Sequence, residues 1–395
     1  MKKYNFDRII LRAGTNSVKY DGVLRTCGMK DVIPLWVADM DFRCPEPVVE
    51  AIRQRVDHGI YGYTFVPDGY YEALTGWMEK KHQWSVRREW VIFSPGVVAA
   101  LHLAVNAFTN PGDGIIVQPP VYFPFFSAVK ENDRRLIYNQ LKMENSYYTI
   151  NWDDLRQNAS RGARMLLFCH PHNPVGRCWT ARELETLVDI CREYDLILLS
   201  DEIHADLTLP GYKHLPIAAL NDEIAKRTIT CVSASKTFNL AGLTTSAVII
   251  SNSELREKFA SFCRKVHTGS GNLFGYVAAE AAYRYGEEWL NQLLEYLSEN
   301  IQFAQNFFKT QIPVIEPIPT EATYLMWLDC RKLGLSSEQL GDFMVQQAGI
   351  ELNNGAMFGP GGEGFMRLNV ACPRVLLKKA LDRLRRAIDY NFSFR

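Results

Sequence analysis

The sequence predicts an α/β protein: a larger doubly wound domain with a mainly parallel mixed sheet, followed by a smaller α+β domain. Three observations carry this. In the middle of the chain, short apolar runs alternate with amphipathic helical stretches. Those runs lack the period-2 alternation of half-exposed strands, so both faces of each strand are expected to be covered. After about residue 287 the texture changes to one long helix followed by strands and helices in mixed order.

Taken in order, residues 1–45 show no helical period and end in the Pro-rich bend Cys44-Pro45-Glu46-Pro47. They are expected to pack against the C-terminal domain. Residues 46–286 form the expected large domain. Its strands are Val91–Phe93, Ile115–Val117, Arg164–Cys169, Leu196–Leu199, Thr228–Ser233 and Ala247–Ile250, and its helices include Gly96–Phe108, Thr180–Tyr194 and Glu254–Lys265. Residues 287–395 form the small domain. A helix from Glu287 to about Lys309 runs into Pro313, Pro317 and Pro319. A strand at Tyr324–Leu328, a helix at Ser336–Gln347, a strand at Phe365–Asn369 and a basic helix from Pro373 complete it.

Composition excludes several classes. The 395 residues carry 44 Lys+Arg against 44 Asp+Glu, which leaves no whole-chain field for nucleic acid or an anionic membrane. No window reaches the roughly eighteen apolar residues of a membrane span, and the first twenty residues contain no signal-peptide core. The nine cysteines are odd in number, scattered and without a C-x-x-C pair, and read as reduced, mostly packed thiols of a cytoplasmic protein. Aromatic content of 12% argues against disorder.

In doubly wound folds ligands bind just past strand C-termini. Three strands empty into polar motifs there: RMLLFC into His170-Pro171-His172-Asn173-Pro174-Val175-Gly176, LILLS into Asp201-Glu202-Ile203-His204, and TITCV into Ser233-Ala234-Ser235-Lys236-Thr237-Phe238-Asn239. Singly they are an Asn-Pro turn, a helix cap and a Ser-rich turn with a solvated lysine. In succession they resemble the fold-type I pyridoxal-phosphate (PLP) enzymes, the aminotransferase class I/II superfamily. The segments PLWVADMDF (34–42), HNPVG, SDEIHADL, SASKTFNLAGL and FMRLNVACPR are similar to the MalY/PatB group of carbon–sulfur β-lyases. The resemblance covers essentially the full chain and implies the PLP-dependent transferase fold of type I.

That resemblance implies the following roles. Lys236 forms the Schiff base with PLP and, once freed, takes the substrate Cα proton. Asp201 faces the pyridine nitrogen and keeps it protonated. Asn173 donates to the ring's phenolic oxygen, and His204 lies near the same oxygen. Backbone amides of Val97 and Val98 at a helix N-terminus, with the hydroxyls of Ser233 and Ser235, hold the phosphate. Where many aminotransferases carry a phosphate-pairing Arg eight residues after the lysine, this chain has Thr244. Tyr63 reaches the phosphate from a neighbouring subunit, with Tyr61 a competitor for that role. Tyr122 stacks on the ring face. Arg367 holds the substrate α-carboxylate through paired hydrogen bonds, and Ala38 supplies a backbone amide near it.

The implied reaction is β-elimination: the Cα proton is lost, a thiolate leaves Cβ, and the aminoacrylate decays to pyruvate and ammonia. Cystathionine as substrate yields homocysteine. An aminotransferase on the same apparatus is the alternative. A metal hydrolase using His170, His172, Asp201 and His204 leaves Lys236, Asn173 and Arg367 without a task, so no metal is expected. The resemblance also implies a homodimer with active sites at its interface and a small-molecule amino-acid substrate, with neither nucleic acid nor membrane as partner.

Overall fold

The computed structural model describes residues 3–29 and 31–392. Seven strands build the large sheet: β1 (Val91–Ser94), β2 (Gly114–Val117), β3 (Arg135–Tyr138), β4 (Ala163–Cys169), β5 (Ile197–Asp201), β6 (Thr228–Val232) and β7 (Ser246–Ile249). Their order across the sheet is β1-β7-β6-β5-β4-β2-β3. β7 runs antiparallel to both neighbours and every other pairing is parallel, so the sheet is mixed and mainly parallel.

Successive residues of a strand point to opposite faces, and here both faces meet apolar layers. In β4, Leu166 and Phe168 enter one core with Leu184, Leu187 and Ile190 of helix Ala181–Glu193. Met165 and Leu167 enter another with Leu101 and Ala104 of helix Val97–Phe108. With no solvent face, the strand needs no polar alternation. β3 went unread in the sequence because it is a short edge strand, paired with β2 alone and exposed at both of its ends.

The register decides where the site forms. Cys169 pairs with Asp201 and Asp201 with Cys231, so β4, β5 and β6 end level and their loops emerge at one edge.

A second, antiparallel sheet orders Glu316–Pro317, Leu325–Asp329, Phe365–Asn369 and Asn353–Asn354. Helices Glu287–Gln311 and Arg374–Phe392 pack beside it, burying Leu293, Leu297, Leu377 and Leu384 in one shared core. The N-terminal segment is tied to this region. Ile33–Pro34 pairs in parallel with Ile350–Glu351, and Asn369 Nδ2 donates to the carbonyls of Val37 and Asp39 at 2.6 Å each.

Two expectations are corrected. Residues 1–45 do contain a helix, Val18–Cys27. Polar anchors hold it rather than an apolar stripe: buried Lys19 lies 3.0 Å from Asp41, Tyr20 Oη donates to Asp41, and Trp36 Nε1 donates to the Lys19 carbonyl. The helix expected over 336–347 is α-helical only at Ser337–Asp342 and widens into a π-type turn at Phe343–Gln347. Eight described cysteines are free, all buried except the partly exposed Cys44. The side chain of Cys27 lies outside the described residues. Among the described residues, no helix is long and apolar enough to cross a membrane.

Candidate active site

A cavity of about 170 Å³ sits at the level ends of β4, β5 and β6. It adjoins a wider cleft of about 990 Å³ bounded by Arg12, Met40, Phe42 and Trp289; Ala38, Lys236 and Ala241 line both.

Lys236 projects from the one-turn helix Ala234–Thr237. Its Nζ donates to the Ala38 carbonyl at 2.7 Å. Burial, joined by the positive charge of Arg367, brings its pKa down to about 8. Asp201 ends β5 and accepts from the Ile203 amide at 3.1 Å. Burial pushes its carboxyl up to about 7, against the opposing influence of that hydrogen bond and of Lys236. Such a carboxyl is poised to ionise beside a bound cation.

His204 is fully buried and pushed down to about 3 by desolvation, so its ring is neutral. Its Nδ1 has no hydrogen-bond partner among the described residues, and its ring meets Tyr324 edge-on at 6.2 Å. Asn173 follows β4. Its Oδ1 accepts from Arg367 Nη1 at 3.0 Å, which turns its NH₂ group into the free end of an amide that lines the cavity.

Helix Val97–Phe108 begins at the cavity. Gly96 occupies its N-cap without a side-chain cap bond, so the first amides, those of Val97 and Val98, remain as anion donors. Ser235 and Tyr122 also line the wall. Thr244 does too, and Lys236 is the one cation among the described lining residues.

Arg367 is buried on the strand Phe365–Asn369 and lies just behind the lining. Nη2 donates to the Trp36 carbonyl at 2.8 Å and to Asn353 Oδ1, and the Phe358 ring lies 5.0 Å from Cζ. All these acceptors are neutral. Burial lowers its pKa to about 10, and Nε has no partner among the described residues. A buried guanidinium facing only neutral oxygens suits a carboxylate arriving from outside.

One sequence expectation changes, that for Ser233. Ser233 does not line the cavity; its hydroxyl is engaged as the N-cap of the lysine turn, accepting from Ser235 N at 3.1 Å and donating to the Thr245 carbonyl at 2.8 Å. The Ala38 carbonyl accepts from both Lys236 and Tyr324 Oη. Tyr63 is fully exposed and away from the cavity of its own chain, while Tyr61 bonds the Val56 carbonyl and packs on Phe274. Of the histidines weighed as metal ligands, His170 lies 3.0 Å from the Leu215 carbonyl with its ring on His214, and His172 meets Trp179 edge-on.

A family model described as aminotransferase class I and II matches residues 30–384. The chain belongs to the aminotransferase class I and II family. It is similar to the cystathionine beta-lyase PatB of Bacillus subtilis, 43% identical over 386 residues that cover 98% of this chain and all of that one. Among solved structures it is similar to cystalysin from Treponema denticola, which contains pyridoxal 5′-phosphate (TM-score 0.95, 38% identity, 98% and 100% coverage). It is also similar to the PLP-bound C–S lyase from Staphylococcus hominis (TM-score 0.90, 36% identity, 98% of each chain).

For this member of the aminotransferase class I and II family, sequence reading missed several wall residues. Ile203, Thr245 and Ser246 line the cavity, and Tyr324 fixes Ala38. The SDEIH motif already contained Ile203. Tyr324 had no local signal, since it merely precedes the apolar strand Leu325–Asp329.

Proposed function

We propose that this chain is a PLP-dependent carbon–sulfur β-lyase that cleaves L-cystathionine or a related cysteine S-conjugate to a thiol, pyruvate and ammonia. The observation that carries it is the full-length similarity to PatB, joined to one cavity that gathers Lys236, Asp201, Asn173 and a helix N-terminus.

The residues fit the cofactor. An acid without a contacting cation, an unpartnered buried imidazole nitrogen and uncapped helix amides match a ring nitrogen, a ring oxygen and a phosphate. Lys236 would hold it through its amine, with Asp201 toward its nitrogen, Asn173 and His204 toward its phenolic oxygen, and Tyr122 over its face. Val97 and Val98 amides, with the Ser235 hydroxyl, would take the phosphate. When bound, the cofactor supplies an electron sink for the charge left at Cα.

The rest is done by the chain. Arg367 binds the substrate α-carboxylate and orients the Cα–H bond toward Lys236. Burial lowers the pKa of the free Lys236 amine to about 8, which lets it act as a base at Nζ close to neutral pH once the substrate amine has replaced it. The burial of Asp201, His204 and Arg367 limits the water that can compete. The leaving thiolate, with a pKa of about 8.5, departs without needing a strong acid. The wider cleft beside Lys236 accommodates the group carried on sulfur.

The same reading divides the chain into an N-terminal segment (1–45), a large domain (46–286) and a small domain (287–395). It places the protein in the cytoplasm as a homodimer, supported by free cysteines and by an arm of exposed apolar residues, Ile60, Tyr61, Tyr63 and Phe65. Tyr63 then serves the neighbouring subunit's phosphate. The test is release of pyruvate and homocysteine from L-cystathionine with no keto acid present. Turnover that requires a keto acid identifies an aminotransferase instead.

A further inference from the structure

A four-residue helix is too short to set its own direction, yet Lys236 must leave such a turn at a defined angle. Ser233 anchors one end of the turn through the Thr245 carbonyl, and Asn239, just past the other end, bonds the backbone of Met40 and Phe42, so both anchors lie outside the turn itself. Within the turn, a further directional bond acts on the residue beside the lysine. Thr237, next to Lys236 and fully buried, donates from Oγ1 to Asp206 Oδ2 at 2.8 Å.

Asp206 is itself held on its other side. Its Oδ1 accepts from Trp77 Nε1 at 2.9 Å and from His82 Nε2 at 2.8 Å, both on helix Asp68–His82. Burial alone raises this carboxyl, but the three donors outweigh it and hold it below the usual carboxylate range. It is therefore an anion in its resting state, able to grip a hydroxyl more firmly than a neutral acceptor does. Adjacent residues of a helical turn point about 100° apart, so pinning Thr237 behind the sheet edge aims Lys236 into the cavity.

We propose that Asp206 and Thr237 are positioning residues for Lys236: the carboxylate fixes the rotation of the lysine turn and thereby where Nζ stands. This rests on the reading of Lys236 as the cofactor-binding lysine. Misplacing a reacting amine by about 1 Å costs on the order of 100-fold in rate.

The test compares Thr237→Val, Thr237→Ser, Asp206→Asn and Trp77→Phe with wild type. Three things are measured: kcat and KM for pyruvate release from L-cystathionine, the rate at which the apoprotein captures PLP on Lys236 (borohydride trapping, then peptide mass), and Tm. Thr237→Val and Asp206→Asn are expected to lower kcat by roughly 10- to 100-fold and to slow capture, with KM changed less than about 2-fold. Thr237→Ser, which keeps the hydroxyl, is expected within about 3-fold of wild type. Trp77→Phe removes a donor from the far oxygen only and is expected to lower Tm while sparing kcat and capture. If Thr237→Val does not fold, Asp206→Asn against Trp77→Phe decides the matter.

Wild-type kcat and capture in Thr237→Val or Asp206→Asn overturns the proposal, as does a parallel loss in all variants that tracks Tm. A wild-type protein that captures PLP on Lys236 but releases no pyruvate refutes the lyase reading alone, and capture rates then decide the positioning.

Discussion

Burial moves three ionisable side chains of the site toward their uncharged forms: Asp201 up to about 7, Lys236 down to about 8 and Arg367 down to about 10. Each is costly to keep charged until a bound molecule supplies the opposite charge. Asp201 gives the cleanest test. Its folded pKa lies above the ordinary value near 3.8, so ionisation disfavours the folded apoprotein. The penalty is absent below about pH 4, grows as pH rises toward 7, and is complete above that, at up to roughly 4 kcal/mol. Asp201→Asn is therefore expected to raise the apoprotein Tm, with a gap that widens from pH 4 to pH 7 and then levels. Turnover in the same variant is expected to fall by orders of magnitude. Thermal scans of both apoproteins across pH check this; a gap that narrows with rising pH contradicts it.

At the level of elements, the site is an edge: three strands end in register and one helix begins there. The helix contribution can be isolated. Val97 is the first helical residue after the Gly96 N-cap, a position where proline is tolerated because that amide has no intrahelical partner. Val97→Pro is expected to leave the far-ultraviolet circular dichroism intact while removing one phosphate donor. A charge-assisted hydrogen bond contributes about 1.5–3 kcal/mol, so the Kd for PLP is expected to rise roughly 10- to 100-fold. An unchanged Kd with an intact helix places the phosphate elsewhere. Thr244 lines the cavity from a left-handed turn (φ 45°) and brings no charge, so in the proposed cofactor site the amides would bear more of the phosphate charge.

For the molecule as a whole, Tyr63 stands fully exposed at the tip of an apolar arm, and the proposed homodimer gives it a site to complete. If so, two inactive variants should rescue each other. A mixed dimer of Lys236→Ala and Tyr63→Ala subunits contains one site with both an intact lysine and an intact tyrosine. Random re-association is then expected to recover about a quarter of wild-type activity by symmetry. Mixtures that stay inactive, although sedimentation shows mixed dimers, remove Tyr63 from the neighbour's site.

Local pattern alone determined much of this protein. Apolar runs marked β4, β5 and β6, and the polar residues after each run marked Asn173, Asp201 and Lys236, because strand formation and the place where a strand ends are short-range properties. Arg367 was singled out only by the family resemblance that FMRLNVACPR carries. The short helix Val18–Cys27 and the edge strand β3 were not legible, since distant polar partners hold the first and a single neighbour pairs with the second. Tertiary structure alone decided that Ser233 caps the lysine turn, that Ala38 offers its carbonyl, that Tyr324 locks it, and that Asp206 reaches Thr237. Each of these is a hydrogen bond between groups brought together by chain packing, and the direction of a hydroxyl or carbonyl is set by what surrounds it, not by the residues beside it in the chain.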